Sequence, residues 1–302
     1  MSVSVGVIGI GAMGTQAVKT LRSGGYSVVV SDASADALRR AQSLGASSAN
    51  TPADVVARAD MILLFLPGPS QVEAVVTGQD GLLPASYHNQ VIIDLSTVDP
   101  DTTRRMGARA AAVGIGYLDA PVLGRPEAVG RWVLPVGGSV EVLERCRPVL
   151  GTLAREVVHV GPLGAGNTLK LLNALMFSAI NAMTAEMMAV CSKTGLEPRM
   201  LFDTIAGSDA ATVSGLFKEV GRKIVERDFT PTFTIDLLCK DNGLAIQMAR
   251  DAGAPPLLGN VIQTINELAR AQGLGREDSS ALVKVYEQLL GRSQGSDQNA
   301  AG

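Results

Sequence analysis

The chain has 302 residues, a length that suits two domains better than one or three, because single cores stop growing at about 250–300 residues. Apolar residues make up 46% and charged residues 18%, which excludes disorder over most of the length. Lysine and arginine number 26 against 29 aspartates and glutamates, so no basic excess is available to neutralise a phosphate backbone and no nucleic-acid partner is expected.

From residue 3 to about 160, short β-branched runs alternate with stretches of helical spacing. Strands are predicted at Val3 to Ile8, Ser27 to Ser31, Met61 to Leu66, Val91 to Leu95, Gly116 to Leu118 and Val133 to Gly137, with helices such as Thr15 to Ser23 and Ala35 to Leu44 between them. This βαβα order predicts a doubly wound, mostly parallel sheet covered on both faces. From Gly164 the strand signal nearly vanishes. Leu169, Leu172, Met176, Ile180, Met183, Met187 and Val190 recur in steps of three and four, which draws one long apolar stripe on a long interdomain helix. Met200 to Ala206, Leu237 to Ala252, Leu258 to Gln272 and Ser279 to Leu290 repeat the pattern, so the second domain is predicted to be all-α. The expected division is 1–162 for the α/β domain, 163–291 for the helical domain and 292–302 for a disordered tail with nothing to pack. No internal repeat or low-complexity block is seen.

Apolar runs are broken by Pro, Gly or charge before the roughly 20 residues of a membrane span, so none is expected. The segment MSVSVGVIGIGAMG has no positive stretch ahead of its apolar run and does not read as a secretory signal; a cytoplasmic protein is expected. Cys146, Cys191 and Cys239, an odd set without CxxC spacing, suit reduced, buried thiols. His88 and His159 are the only histidines, too few for a His-ligated metal; no metal is expected.

The strongest local signal is Gly9-Ile10-Gly11-Ala12-Met13-Gly14, between an apolar strand and a helix. Gly9 permits the tight turn, Gly11 lets a pyrophosphate approach the backbone, and Gly14 lets the helix pack closely, which is the dinucleotide-binding pattern of a Rossmann domain. The helix N-terminus then receives the phosphates. Asp32 follows at the end of the second strand, where a carboxylate accepts bonds from ribose hydroxyls and repels a 2'-phosphate. With Ala33 and Ser34 beside it and no arginine, NAD is favoured over NADP. Leu66-Pro67 and Ser96-Thr97 end their strands on the side where such sheets bind ligands; alone, each reads rather as an ordinary loop. Lys170 and Asn173 are neighbours on one helix face near the start of an apolar helix, where a lysine either snorkels or is functional. Lys240 stands on another apolar helix, and by itself reads as a surface ion pair.

Four motifs in order, GIGAMG at 9–14, DAPVLG at 119–124, GAGNTLKLLN at 164–173 and KDNGLA at 240–245, make the chain resemble the β-hydroxyacid dehydrogenase family over about residues 3–290. This is the group of 3-hydroxyisobutyrate dehydrogenase and tartronate semialdehyde reductase, related to 6-phosphogluconate dehydrogenase. The resemblance implies a Rossmann domain followed by a helical domain that forms a homodimer or homotetramer, and interconversion of a small 3-hydroxy acid with its semialdehyde or keto form. It makes Lys170 the acid–base and puts Asn173 against the substrate. It implies that Leu66, Pro67, Gln71, Thr97 and Lys240 contact the cofactor, beside Gly9, Gly11, Ala12, Met13, Gly14 and Asp32. One departure stands out. The family's typical Ser-Gly-Gly after DAPV, which holds the substrate carboxylate, is here Leu123-Gly124-Arg125. Either Arg125 grips a carboxylate or other anion bidentately, or it is a solvated loop charge. Rival readings are an imine reductase of the same architecture, a group that generally lacks the lysine, and a non-catalytic NAD-binding protein.

Overall fold

The computed structural model describes residues 3–87, 89–208, 215–254 and 256–291. The predicted disordered tail and His88 lie outside them. The chain divides into two compact units, Met1–Leu171 and Leu172–Gly302.

The first unit is built on eight strands: β1 Ser4–Ile8, β2 Ser27–Ser31, β3 Ser47–Ser48, β4 Met61–Leu64, β5 Val91–Asp94, β6 Gly116–Asp119, β7 Trp132–Gly137 and β8 Ala154–Gly161. They form one sheet in the order β3-β2-β1-β4-β5-β6-β7-β8. Every pairing is parallel except β6 with β7. Successive residues of each central strand go to opposite cores. Val5, Leu63 and Ile93 pack on one face, Ile62, Leu64 and Ile92 on the other. That is why these strands read as continuous apolar runs. Around the sheet run α1 Ala12–Ser23, α2 Ala35–Ser43, α3 Pro52–Val56, α4 Pro69–Thr77, α5 Leu82–Ala85, α6 Pro100–Ala112 and α7 Val140–Leu153. The predicted strands and helices are all present, with ends shifted by up to three residues. The edge strands β3 and β8 were not anticipated.

Helix α8, Ala165–Lys193, begins in the first unit and runs on into the second. The second unit continues with α9 Pro198–Ala206, α10 Gly215–Glu226, α11 Ile235–Asp251, α12 Leu257–Ala269 and α13 Leu282–Leu289, and contains no strand among the described residues. Its core gathers Ala185, Met188, Ile224, Leu238, Ala269 and Val285. All three cysteines are buried and unbridged.

Two expectations need correction or refinement. By length and composition α8 is apolar enough to cross a membrane, with a mean hydropathy of 1.4 over its best 18 residues. The expectation that Pro, Gly or charge breaks every such run does not hold for this helix, since two lysines and one glutamate in 29 residues leave it apolar enough by length and composition; half of that stretch is buried inside the protein. The apolar stripe, meanwhile, is the outer face of α8. Leu172, Met176, Met183, Met187 and Val190 are exposed, Met176 at 66%, whereas Leu171, Ala174, Ser178, Asn181, Ala185 and Met188 face the core.

Candidate active site

The carboxyl ends of β1, β2, β4 and β5 lie side by side in register, and they bring the candidate cofactor residues of the first unit together. Gly9 turns the chain at φ +91°, and a Cβ there would meet the Phe65 carbonyl at 2.2 Å, so no other residue fits. A Cβ on Gly14 would strike the Gly9 carbonyl at 2.0 Å, which explains how closely α1 packs under the turn. Gly11 faces open space, and α1 has no side-chain cap on its first amides. These free donors and the open approach fit a pyrophosphate. Asp32, partly buried, accepts the Ile10 amide at 2.6 Å and the Ser34 amide at 2.7 Å, which holds its carboxylate against the glycine turn. Each oxygen keeps a lone pair for a ribose hydroxyl. A nicotinamide dinucleotide therefore fits this end of the sheet.

Leu66 donates its amide to Ser96 Oγ at 2.9 Å, which ties the loop after β4 to the loop after β5. Pro67 and Gln71 are exposed and Thr97 is half-buried. Beneath them lies an acidic pair. Asp94, fully buried, accepts the Ser96 amide at 2.9 Å and the Tyr117 hydroxyl at 3.1 Å. Burial pushes its carboxyl up to about 6, the neighbouring Asp119 adds to this, and the bonds from Ser96 and Tyr117 oppose it. Burial also raises Asp119, against the pull of the Gly164 and Asn167 amides. A carboxyl raised in the folded state favours folding below its ordinary value of 3.8, and that contribution is lost as pH rises through about 6. The amount for Asp94 is on the order of 3 kcal/mol. Asp94→Asn, which keeps an acceptor for Ser96, is expected to gain in melting temperature relative to the wild type as pH rises from about 4 to 7. A difference that does not change with pH would remove burial as the dominant influence.

Lys170, on α8, is half-buried and donates from Nζ to the Val122 carbonyl at 2.8 Å. Its ammonium thus stands over the loop of the DAPVLG motif. Leu123 and Val133 exchange backbone bonds at 3.0 and 3.1 Å, which locks that loop on β7. Trp132 Nε1 donates to the Arg125 carbonyl at 2.8 Å, and its ring lies so close to Gly124 that a Cβ would meet it at 2.6 Å. Asn173 and Lys240 belong to the second unit. Asn173 is exposed on α8; Lys240, half-buried, pairs with the buried Asp241 at 2.8 Å, so the ion pair is present but is not the surface pair its position suggested.

Sequence reasoning gave no role to Asp94, Asp119, Asn167 or, in the second unit, Ser178, whose hydroxyl receives the amides of Asn242 and Asn266, each at 2.9 Å. A carboxylate closing an apolar strand, and an asparagine within an apolar helix, were the available signals.

Residues 4–161 match the family model described as the NAD binding domain of 6-phosphogluconate dehydrogenase. Residues 164–286 match that described as NAD-binding of NADP-dependent 3-hydroxyisobutyrate dehydrogenase. The chain is 35% identical over 294 residues to 2-(hydroxymethyl)glutarate dehydrogenase of Eubacterium barkeri, covering 97% of each. It is 32% identical over 288 residues to 3-sulfolactaldehyde reductase of Escherichia coli, covering 93% of this chain and 95% of that one. The crystal structure of a 3-hydroxyisobutyrate dehydrogenase from Salmonella typhimurium superposes with a TM-score of 0.86 at 26% identity, over 94% of this chain and 100% of that one. With both units matched in order and such relatives aligned along nearly the whole length, this chain belongs to the β-hydroxyacid dehydrogenase family.

Proposed function

We propose that the protein is an NAD-dependent dehydrogenase that interconverts a small, anionic 3-hydroxy acid and its semialdehyde or keto form, with Lys170 as the acid–base. The observation that carries this reading is the half-buried Lys170 ammonium held 2.8 Å from the Val122 carbonyl, in the same unit as the glycine turn and Asp32. Nicotinamide supplies the hydride chemistry when bound. Lys170 takes the hydroxyl proton in the oxidative direction and returns it to the oxygen in the reductive one. Gly9, Gly11, Ala12, Met13, Gly14, Asp32, Leu66, Pro67, Gln71, Thr97 and Lys240 are assigned to the cofactor, and Leu123, Gly124, Arg125 and Asn173 to the substrate. The lysine counts against an imine reductase. The names of the relatives, which act on 2-(hydroxymethyl)glutarate and 3-sulfolactaldehyde, support a small anion carrying a hydroxymethyl or aldehyde carbon.

Steady-state kinetics test the reading with 3-hydroxyisobutyrate, L-serine, 2-(hydroxymethyl)glutarate and 3-sulfolactaldehyde, each with NAD(H) and NADP(H). Turnover of at least one compound and a higher kcat/KM with NAD(H) are expected, because Asp32 stands where a 2'-phosphate would go. A clear NADP(H) preference would overturn the assignment of Asp32. A cytoplasmic location goes with this reading.

The exposed face of α8 supports a homodimer or a dimer of dimers, since Met176, Met183 and Met187 leave more apolar surface in water than a lone helix ordinarily does. Light scattering is expected to give at least twice the 31.3 kDa of one chain. A single-chain mass at micromolar concentration would contradict it.

A further inference from the structure

Helix α8 lacks the local device that most helices use to satisfy their first amides. The residue before it, Gly164, has no side chain, and its φ of +93° turns the chain sharply into the helix. A distant carboxylate takes over the task. Asp119, at the end of β6 and with no exposed surface, accepts the Gly164 amide on Oδ1 at 2.8 Å and the Asn167 amide on Oδ2 at 2.7 Å. The pocket for it is cut to size by two glycines: a Cβ on Gly137 would lie 2.4 Å from Oδ1, and one on Gly166 2.9 Å from Oδ2. The Asn167 side chain completes the clamp, accepting the Val98 amide at 3.2 Å and donating to Thr103 Oγ1 at 3.2 Å.

One turn further along α8 stands Lys170, three residues from Asn167 and so on the same face. Its Nζ bonds the carbonyl of Val122, three residues beyond Asp119 on the segment that leaves β6. The end of β6 therefore grips α8 at two heights, by the Asp119 carboxylate at the first turn and by the Val122 carbonyl at the lysine tip. We infer that Asp119 is a positioning residue for proton transfer: its carboxylate caps α8 and thereby fixes where the Lys170 ammonium stands relative to the loop at 121–125. The negative charge also opposes the positive end of the helix, which anchors the turn more firmly than a neutral cap. Asp119 itself touches no reacting atom; its effect passes through the helix to Lys170. A displacement of about 1 Å at a proton-transfer group is enough to cost on the order of a hundredfold in rate.

This inference rests on the reading of Lys170 as the acid–base, and the test separates the two. Asp119→Asn, Lys170→Ala and the double variant are compared with NAD and the fastest acid among those named above, 3-hydroxyisobutyrate being the default. The Asn amide turns a donor toward one of the two amides, of Gly164 and Asn167, and breaks the clamp with little change in volume. In Asp119→Asn we expect kcat to fall at least about tenfold, with the Kd for NADH, read from its fluorescence, within about twofold of wild type. The solvent deuterium isotope effect on kcat rises as proton transfer becomes limiting. In the Lys170→Ala background the same substitution has no further effect on the residual rate, because the group it positions is gone. An unchanged kcat, or a loss of the same factor in both backgrounds with an unaltered isotope effect, overturns the inference and leaves Asp119 as a structural cap. Near-normal turnover by Lys170→Ala overturns the underlying reading instead. Where Asp119→Asn does not accumulate as folded protein, Asp119→Ser is measured in its place, since it removes the carboxylate without setting donor against donor.

Discussion

Replacing Lys170 by alanine is expected to lower kcat by about a hundredfold or more while NADH still binds. The fold has little stake in this side chain. Lys170 is half-buried, it bonds the Val122 backbone carbonyl, and alanine is a better helix former, so the loss of that charge-assisted bond, about 1.5–3 kcal/mol, is partly offset within α8. The chemistry has a large stake, because without the amine the proton of the substrate hydroxyl has no receiver at that point of the loop. Lys170→Arg sharpens the test. A guanidinium keeps the charge and the donors but neither accepts nor gives up a proton in the working pH range, so turnover is expected to stay low in both directions although the charge is retained. Stopped-flow mixing with NADH, followed by steady-state assay in both directions, checks the pair. Near-normal turnover in Lys170→Ala would sink the acid–base assignment.

The parts of the fold that were legible are those whose signal is local. Central strands such as β4 and β5 are buried on both faces and read as apolar runs, and the glycine turn announces itself by spacing alone. The edge strands escaped for the opposite reason. β8 is half-exposed and carries Arg155, Glu156 and His159, so it shows neither an apolar run nor an alternation, and β3 is two serines long. Helix α10 has Leu216, Phe217, Val220 and Ile224 at helical spacing, a signal present but passed over among its charged residues. In α8 the periodicity was plain while its meaning was not: the predicted stripe is largely exposed, and Leu171 and Met188 are buried together with the small or polar Ala174, Ser178, Asn181 and Ala185. Least legible was the scaffolding of the site. Asp119 and Asn167 sit inside motifs whose resemblance was clear, yet their partners lie 45 to 69 residues away in sequence, and no spacing rule reaches that far.

Loss of the Arg125 side chain is expected to raise KM for the true acid substrate by tenfold or more, with a smaller change in kcat. The backbone around it makes this a clean experiment. The Arg125 carbonyl is bonded by Trp132 Nε1, and Leu123 is bridged to Val133, so the path of the loop is held by main-chain atoms that Arg125→Ala leaves in place. What the substitution removes is the guanidinium. With leucine at 123, the hydroxyl that the family's typical motif offers a carboxylate is missing, and a hydrogen bond to a charged acceptor is worth about 1.5–3 kcal/mol, or roughly 10- to 150-fold in affinity. Arg125, two residues further along the same loop, has the chemistry to replace it, by a paired grip on both carboxylate oxygens. The complementary variant Leu123→Ser restores the hydroxyl beside Gly124 and is expected to improve kcat/KM for 3-hydroxyisobutyrate in particular, a substrate too small to benefit from a long side chain. The two together distinguish the ways of holding an anion. If Arg125→Ala leaves every kinetic constant unchanged, the guanidinium is a solvated charge, and the carboxylate is held by backbone amides or by the helical unit, in which Asn173 is the residue to replace next.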